Sequence, residues 1–117
     1  MGTFFHPITL ISPSGGRETL EALVDTGSTF SSFPRSILER LDVQPRRKVR
    51  LRLANRKLSE LDVGLVEVEL DGVRDFTFCT FGEPESPAVI GAVTLEVFQF
   101  GVDPGRKKLV PSEGWRV

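Results

Sequence analysis

The residues that most restrict this chain run from Val49 to Phe81, where apolar side chains recur at every second position. Val49, Leu51 and Leu53 alternate with Arg50 and Arg52, the period of a strand with one dry face and one wet face. Ala54, Asn55, Arg56 and Lys57 are expected to turn the chain, with Asn55 the residue that most readily takes a left-handed turn. The chain then returns through Leu61, Val63, Val66, Val68 and Leu70, with Glu67 and Glu69 on the wet face. A long two-stranded arm results. Asp71-Gly72 is a strong signal for a two-residue hairpin, leading into Val73 to Phe81, where Phe76 and Phe78 share one face. A chain so patterned is all-β through its middle.

The flanks extend the same reading. Phe4 to Ile11 is strand-like, Pro13-Ser14-Gly15-Gly16 breaks it, and a first hairpin returns through Thr19 to Val24. Phe30 to Phe33 is short and extended. Pro34 suits the first turn of a helix to about Leu41, with Ile37, Leu38 and Leu41 on one face. After the loop from Gly82 to Pro87, Ala88-Val89-Ile90-Gly91 is an apolar strand ending at glycine, and Val93 to Phe98 makes one or two helical turns. Phe100 to Gly105 closes that element, and Leu109-Val110-Pro111 is a last short strand before a polar tail ending at Val117. With no internal repeat and no linker, the 117 residues are expected to form one domain, 1–117.

Composition sets aside several function classes. The 15 basic and 16 acidic residues leave a net charge of -1, which gives no global reason to expect binding to nucleic acid or membrane. Nowhere do eighteen apolar residues run together, and Met1 to His6 lacks a basic segment followed by an apolar run. Gly2 is no myristoylation signal, because His6 stands where Ser or Thr is required. One cysteine, Cys79, rules out an internal disulfide and points to a reducing compartment, so the expected location is cytoplasmic. Cys79 lies between Phe78 and Thr80 in a strand, where a packing role fits better than a nucleophilic one. His6, the single histidine, excludes a site that needs two and reads as a strand residue, and no metal site is expected.

Chemistry concentrates at Ala22-Leu23-Val24-Asp25-Thr26-Gly27-Ser28. An apolar, β-prone strand runs into a carboxylate on a Thr-Gly turn, so Asp25 sits where strand becomes loop. An acid at the end of a buried strand must find hydrogen-bond donors, and Thr26, Ser28, Thr29 and the backbone N–H groups of the turn are candidates. A turn whose Asp bonds only its own backbone is the alternative.

That stretch, followed about sixty residues later by Val89-Ile90-Gly91, a short helix and Phe100-Gly101-Val102-Asp103-Pro104, resembles the retropepsin-like aspartic proteases, and most of all their small bacterial members. The resemblance covers nearly the whole chain, from the first hairpin to Pro111. It implies a closed, all-β barrel with one or two short helices, in which the Asp25 loop and Val89-Ile90-Gly91 cross beneath the active site. It also implies a flap over the substrate, here the arm from about Val49 to Val66 with Ala54, Asn55, Arg56 and Lys57 at its tip, although family flaps are usually glycine-rich there.

The family's chemistry needs two aspartates, so the resemblance implies a homodimer with Asp25 contributed by each subunit, acting as an aspartic endopeptidase on a peptide or protein in extended conformation. No cofactor is implied. Asp25 would be the catalytic acid and base, Thr26 would orient the loop through the partner subunit, Gly27 would admit close backbone approach, and Ser28 would bond the outer oxygen of Asp25. An apolar lining near Phe30, Val89 and Ile90 makes an apolar cleavage preference plausible, with the loop from Glu83 to Pro87 contributing to specificity. Two positions depart from retroviral members, which brace the dimer with an acid and an Arg where this chain has Thr29 and Ala92. A retropepsin-like dimerisation or peptide-binding module without proteolysis is therefore the alternative. The seven cations between Arg46 and Lys57 read as a solvated hairpin face balanced by Glu60, Asp62, Glu67 and Glu69, or else as a preference for acidic peptides.

Overall fold

The computed structural model of the chain describes residues 3–114 and 116. Gly2 and the end of the tail at Val117 lie outside them. Strands β1 (Phe4–Ile11) and β2 (Arg17–Val24) form the first hairpin, in register from Phe4 opposite Val24 to Ile11 opposite Arg17. Its turn uses Gly15 at φ 98°, a conformation that favours glycine. Alternation then fills the interior: Phe4, Ile8 and Leu10 from β1 and Ala22 and Val24 from β2 are buried.

Strand β3 (Ser31–Pro34) leads into helix α1 (Arg35–Arg40), which buries Leu38 in the same core cluster as Phe33. Pro34 ends the strand and precedes the helix instead of starting its first turn. Each such side chain contributes roughly 1.5–3 kcal/mol relative to an exposed one. Strand β4 (Pro45–Arg52) then pairs with β5 (Leu58–Leu70), and β5 with β6 (Val73–Gly82). Between β5 and β6, Asp71 at φ 48° and Gly72 at φ 84° make the two-residue turn that their sequence signals. Strand β7 (Val89–Ile90), helix α2 (Ala92–Phe98), β8 (Phe100–Asp103) and β9 (Lys108–Pro111) complete the chain. The stretch from Phe100 to Asp103, expected only to close the helix, pairs with β9 from Phe100 opposite Pro111 to Asp103 opposite Lys108.

The main sheet runs β1-β2-β7-β3-β6-β5-β4, and a further antiparallel pairing of β1 with β5 joins its ends into a ring with β4 outside. The fold is all-β, with two short helices. One strand, β5, serves both ring and arm. Its buried face changes phase at Gly64: Leu61 and Val63 lie inward before it, and Val66, Val68 and Leu70 after it. The opposite strand has a register irregularity between Pro45 and Arg47 that absorbs the change. A Cβ on Gly64 would meet Gln44 O at 2.8 Å and the Phe81 ring at 3.0 Å, so only glycine fits the crossing.

The arm is tied to the body at its root. Asp62 accepts hydrogen bonds from Lys48 on β4 at 2.9 Å and from Arg35 on α1 at 2.7 Å, and the Arg35 guanidinium also lies 4.8 Å from the centre of the Phe81 ring. The bond from Lys48, and next that from Arg35, holds the Asp62 carboxyl below the ordinary carboxylate range. Glu67 and Glu69 do not balance the arm as their position in sequence suggests. They pair with Arg74 and Arg17 on the body.

Two stability measurements follow from this arrangement. Because folding lowers the pKa of Asp62, its contribution is fully present above the unfolded carboxylate value and is lost as pH falls through the lowered one. Urea denaturation of Asp62→Asn should therefore show a deficit against the parent near pH 7 that narrows below about pH 4; a deficit that widens in acid contradicts the assignment. A Cβ at Gly91 would overlap Phe30 O and stand 2.8 Å from Ser28 O, whereas one at Gly105 would meet nothing nearer than 3.6 Å. Gly91→Ala is expected to destabilise by about 1–3 kcal/mol and Gly105→Ala by no more than about 0.5 kcal/mol, read from urea midpoints.

Candidate active site

The end of β2 and the whole of β7 lie side by side and parallel, Leu23 opposite Val89 and Val24 opposite Ile90. Hydrogen bonds from Leu23 N to Ala88 O at 2.7 Å and from Asp25 N to Ile90 O at 3.0 Å continue the pairing to the point where Asp25 leaves the strand. Beyond it the loop crosses over Gly91. The first N–H groups of α2 find no side-chain cap; instead Ala92 N donates to Ser28 O at 2.7 Å and Val93 N to Thr29 O at 3.0 Å. Thr29 and Ala92, the two positions that depart from retroviral members, thus lie at a main-chain junction within the chain.

A buried chain of hydroxyls fixes the same junction from below. Ser31 Oγ accepts from Gly91 N at 3.1 Å and lies 2.6 Å from Thr94 Oγ1, which lies 2.7 Å from Thr77 Oγ1 on β6. Among the described residues every buried side-chain polar atom has a partner. A satisfied network of this kind rigidifies what it touches. Sequence reading did not single out these hydroxyls, because Ser and Thr in strands carry no distinctive pattern.

On that support Asp25 is half-buried, with its carboxylate directed at two donors of its own loop. Gly27 N–H donates to Oδ1 at 2.9 Å and Ser28 Oγ–H to Oδ2 at 3.3 Å. A Cβ on Gly27 would stand 3.2 Å from Oδ1, so a larger residue would crowd the carboxylate. Thr26 is exposed between them. Above lies a cleft of about 480 Å³ floored by Asp25, Ser28, Phe30 and Val89 and roofed by Leu51, Arg52, Leu53, Ala54 and Leu61 of the arm. Val89 reaches the cleft, whereas Ile90 is wholly buried and is not part of the cleft's lining.

The arm differs from its sequence reading in two respects. Its dry face is only partly dry: Val49 and Leu51 are half-buried and Leu53 is exposed, and Leu51 and Leu53 face the cleft instead of the core. At the tip, Arg56 takes the left-handed conformation at φ 67°, while Asn55 stabilises the turn by accepting Lys57 N–H at 2.9 Å. Ala54 lines the cleft, and Lys57 O accepts Leu53 N–H at 2.9 Å.

The remaining candidates have structural duties. Burial pushes the Cys79 thiol up to about 12, which makes it inert at neutral pH. His6 lies in β1 and pairs with Asp71 at 2.7 Å. Among the described residues no three His, Cys, Asp or Glu side chains are grouped to hold a metal ion, and no helix is long and apolar enough to cross a membrane.

A family model described as aspartyl protease matches residues 13–92, which include Asp25, the arm and Gly91. No curated protein sequence gives a significant match. Among solved structures, the retroviral protease-like domain of Ddi1 from Leishmania major superposes with a TM-score of 0.60 at 18% identity, covering 95% of this chain and 89% of that one. The protease of simian foamy virus gives 0.54 at 17% identity over 77% of this chain and 91% of that one. A retropepsin-like aspartic protease from Rickettsia conorii gives 0.50 at 13% identity, covering 88% and 89%. With the Asp25 loop, the crossing at Gly91 and the roofing hairpin in one fold, the chain belongs to the aspartyl protease family and is a retropepsin-like member of it.

Proposed function

We propose that this protein is an aspartic endopeptidase whose active site forms between two copies of the chain, with one Asp25 from each. The observation that carries the reading is the setting of Asp25: a carboxylate held by Gly27 N–H and Ser28 Oγ–H at the floor of a cleft roofed by a hairpin. Peptide hydrolysis by carboxylates needs a base for the water and an acid for the carbonyl oxygen. One Asp-Thr-Gly segment supplies one such group, and two-fold symmetry supplies its equal. Two carboxylates about 3 Å apart cannot both ionise, so the pair shares a proton.

From that state the reaction balances. The ionised carboxylate takes a proton from water as its oxygen bonds to the peptide carbonyl carbon, and the protonated partner gives its proton to the carbonyl oxygen. As the tetrahedral diol collapses, one of its hydroxyls gives its proton to the now ionised partner carboxylate, the C–N bond breaks, the nitrogen takes the proton from the other carboxyl, and the pair returns to its shared-proton state. The substrate lies extended between floor and arm, where it can hydrogen-bond as an added strand. Leu51, Leu53 and Leu61 above, with Phe30 and Val89 below, suit apolar side chains near the cleaved bond. Thr26, exposed on the loop, is placed in this reading against the partner subunit.

A second reading, a peptide-binding or dimerisation module without turnover, is favoured by the arm tip. There Arg56, not glycine, occupies the left-handed position, so the turn has fewer conformations open to it.

Cleavage of a peptide library by the purified chain separates the two. Asp25→Asn is expected to lower kcat at least about 10²–10⁴-fold with circular dichroism unchanged; a variant as active as the parent removes Asp25 from the chemistry. Specific activity should rise with protein concentration in step with the dimer fraction seen by sedimentation equilibrium. A protein that is fully active while strictly monomeric overturns the two-copy site.

A further inference from the structure

We propose that the arm selects its substrate by charge, favouring extended polypeptides in which acidic residues flank an apolar cleavage site. This inference rests on the peptidase reading and adds to it the substrate class.

The charges of the chain are strongly segregated. Residues 46–57 hold seven of the 15 cations and no acid, so the remaining 105 residues hold all 16 acids against eight cations. Folding leaves most of the arm uncompensated. Lys48 pairs with Asp62, and Arg52 donates to the carbonyl oxygen of Arg56 at 2.8 Å. Arg46, Arg47, Arg50, Arg56 and Lys57 have no carboxylate within ion-pair distance among the described residues, although all five are exposed. Even Glu60, directly opposite Arg50 in the register, makes no ion pair with it, and the acids of the far end of β5 pair with Arg74 and Arg17.

Location gives this surplus its meaning. The cations lie on the edge strand β4 and at the tip of the hairpin whose other face, through Leu51, Leu53 and Leu61, roofs the cleft above Asp25. An extended chain in that cleft passes under the arm, and residues on either side of its buried segment emerge beside the cations. The arm's face toward the cleft is mostly apolar, with Arg52 the one cation in its lining, and the surround is cationic. A substrate with apolar residues at the centre and carboxylates outside matches both. Carboxylates drawn to a concentrated positive patch also arrive faster, an effect that falls with ionic strength.

Neither edge protection nor nucleic-acid binding fits as much of this surface. Charges on an edge strand deter edge-to-edge aggregation, but that duty belongs to β4 and leaves Arg56 and Lys57 at the turn without a reason. A single-stranded nucleic acid would need aromatic side chains for its bases, and residues 46–57 contain none.

The test uses the full chain and three peptides that share one apolar cleavable core and differ only in flanks of Glu, Gln or Lys. At low salt the Glu-flanked peptide should be cleaved with kcat/KM about tenfold above the Gln-flanked one, mostly through KM, and the Lys-flanked one should be poorest. Raising salt from about 50 to about 500 mM should bring the ratio near one. The combined variant Arg47→Gln, Arg50→Gln, Arg56→Gln should likewise collapse the Glu-to-Gln ratio, with circular dichroism confirming the fold. Binding of the fluorescent Glu-flanked peptide to Asp25→Asn, followed by anisotropy, supplies a readout that does not need turnover. Cleavage of all three peptides with equal efficiency overturns the charge selection and leaves the peptidase intact. Salt-sensitive binding of the Glu-flanked peptide with no cleavage by the parent overturns the peptidase and leaves the charge selection intact. Tighter binding of an oligonucleotide of equal charge than of the Glu-flanked peptide overturns the acidic-peptide assignment.

Discussion

Everything at the site depends on the contact between two backbones, the Asp25 loop and the Gly91 segment. No side chain fits between them at Gly91, and their N–H and C=O groups satisfy one another across the gap. Helix α2 has no capping side chain because the loop's own carbonyl oxygens cap it. The loop in turn owes its shape to the helix. Buried main-chain groups left unpaired would be costly, so loop and helix must form together or not at all. The chain Ser31, Thr94 and Thr77 extends that dependence to β6, which places the position of one carboxylate under the control of four elements.

A second division of labour runs through the arm. Its root is fastened by Asp62 between Lys48 and Arg35, and its far half is free of such ties. Its inner face is mostly apolar without being a core, since Leu51 and Leu53 look onto a cleft. Side chains in that state keep a standing free-energy incentive to be covered, which suits a surface that meets an extended ligand. The outer face and tip repel themselves electrostatically and are relieved by anions.

Much of this could be read from residue order alone. Hairpins announced by Pro13 to Gly16 and by Asp71-Gly72 formed as expected, because turn chemistry is local. The Asp25 segment and Val89-Ile90-Gly91 stood out by their composition, and the fold brings them together. What escaped was set by tertiary neighbours. Alternation at Val49, Leu51 and Leu53 reports an apolar face but not whether protein or ligand covers it. Asn55 and Arg56 exchanged duties because the Asn side chain is worth more as an acceptor inside the turn than as the residue at positive φ. Glu67 and Glu69 follow the arm in sequence, yet β5 carries them into the ring, where Arg74 and Arg17 are nearer. Strand β8 was hidden because Phe100 to Asp103 is short, glycine-bearing and half-buried, and pairing with β9 decides it.

Strand β5 makes the ring and the arm one mechanical piece. Its buried face changes sides at Gly64, opposite the irregularity near Arg46, and from there the hairpin projects eight residues to Arg56. At about 3.3 Å per residue that is a lever of roughly 25 Å. A rotation of about 10° at its fulcrum carries the tip by about 4 Å, which is close to the spacing of one strand beside another. Admitting or releasing an extended chain would then need only a small bend at one glycine and a matching swing of the Arg35 side chain that holds Asp62, with the hydrogen bonds of the hairpin itself left unbroken.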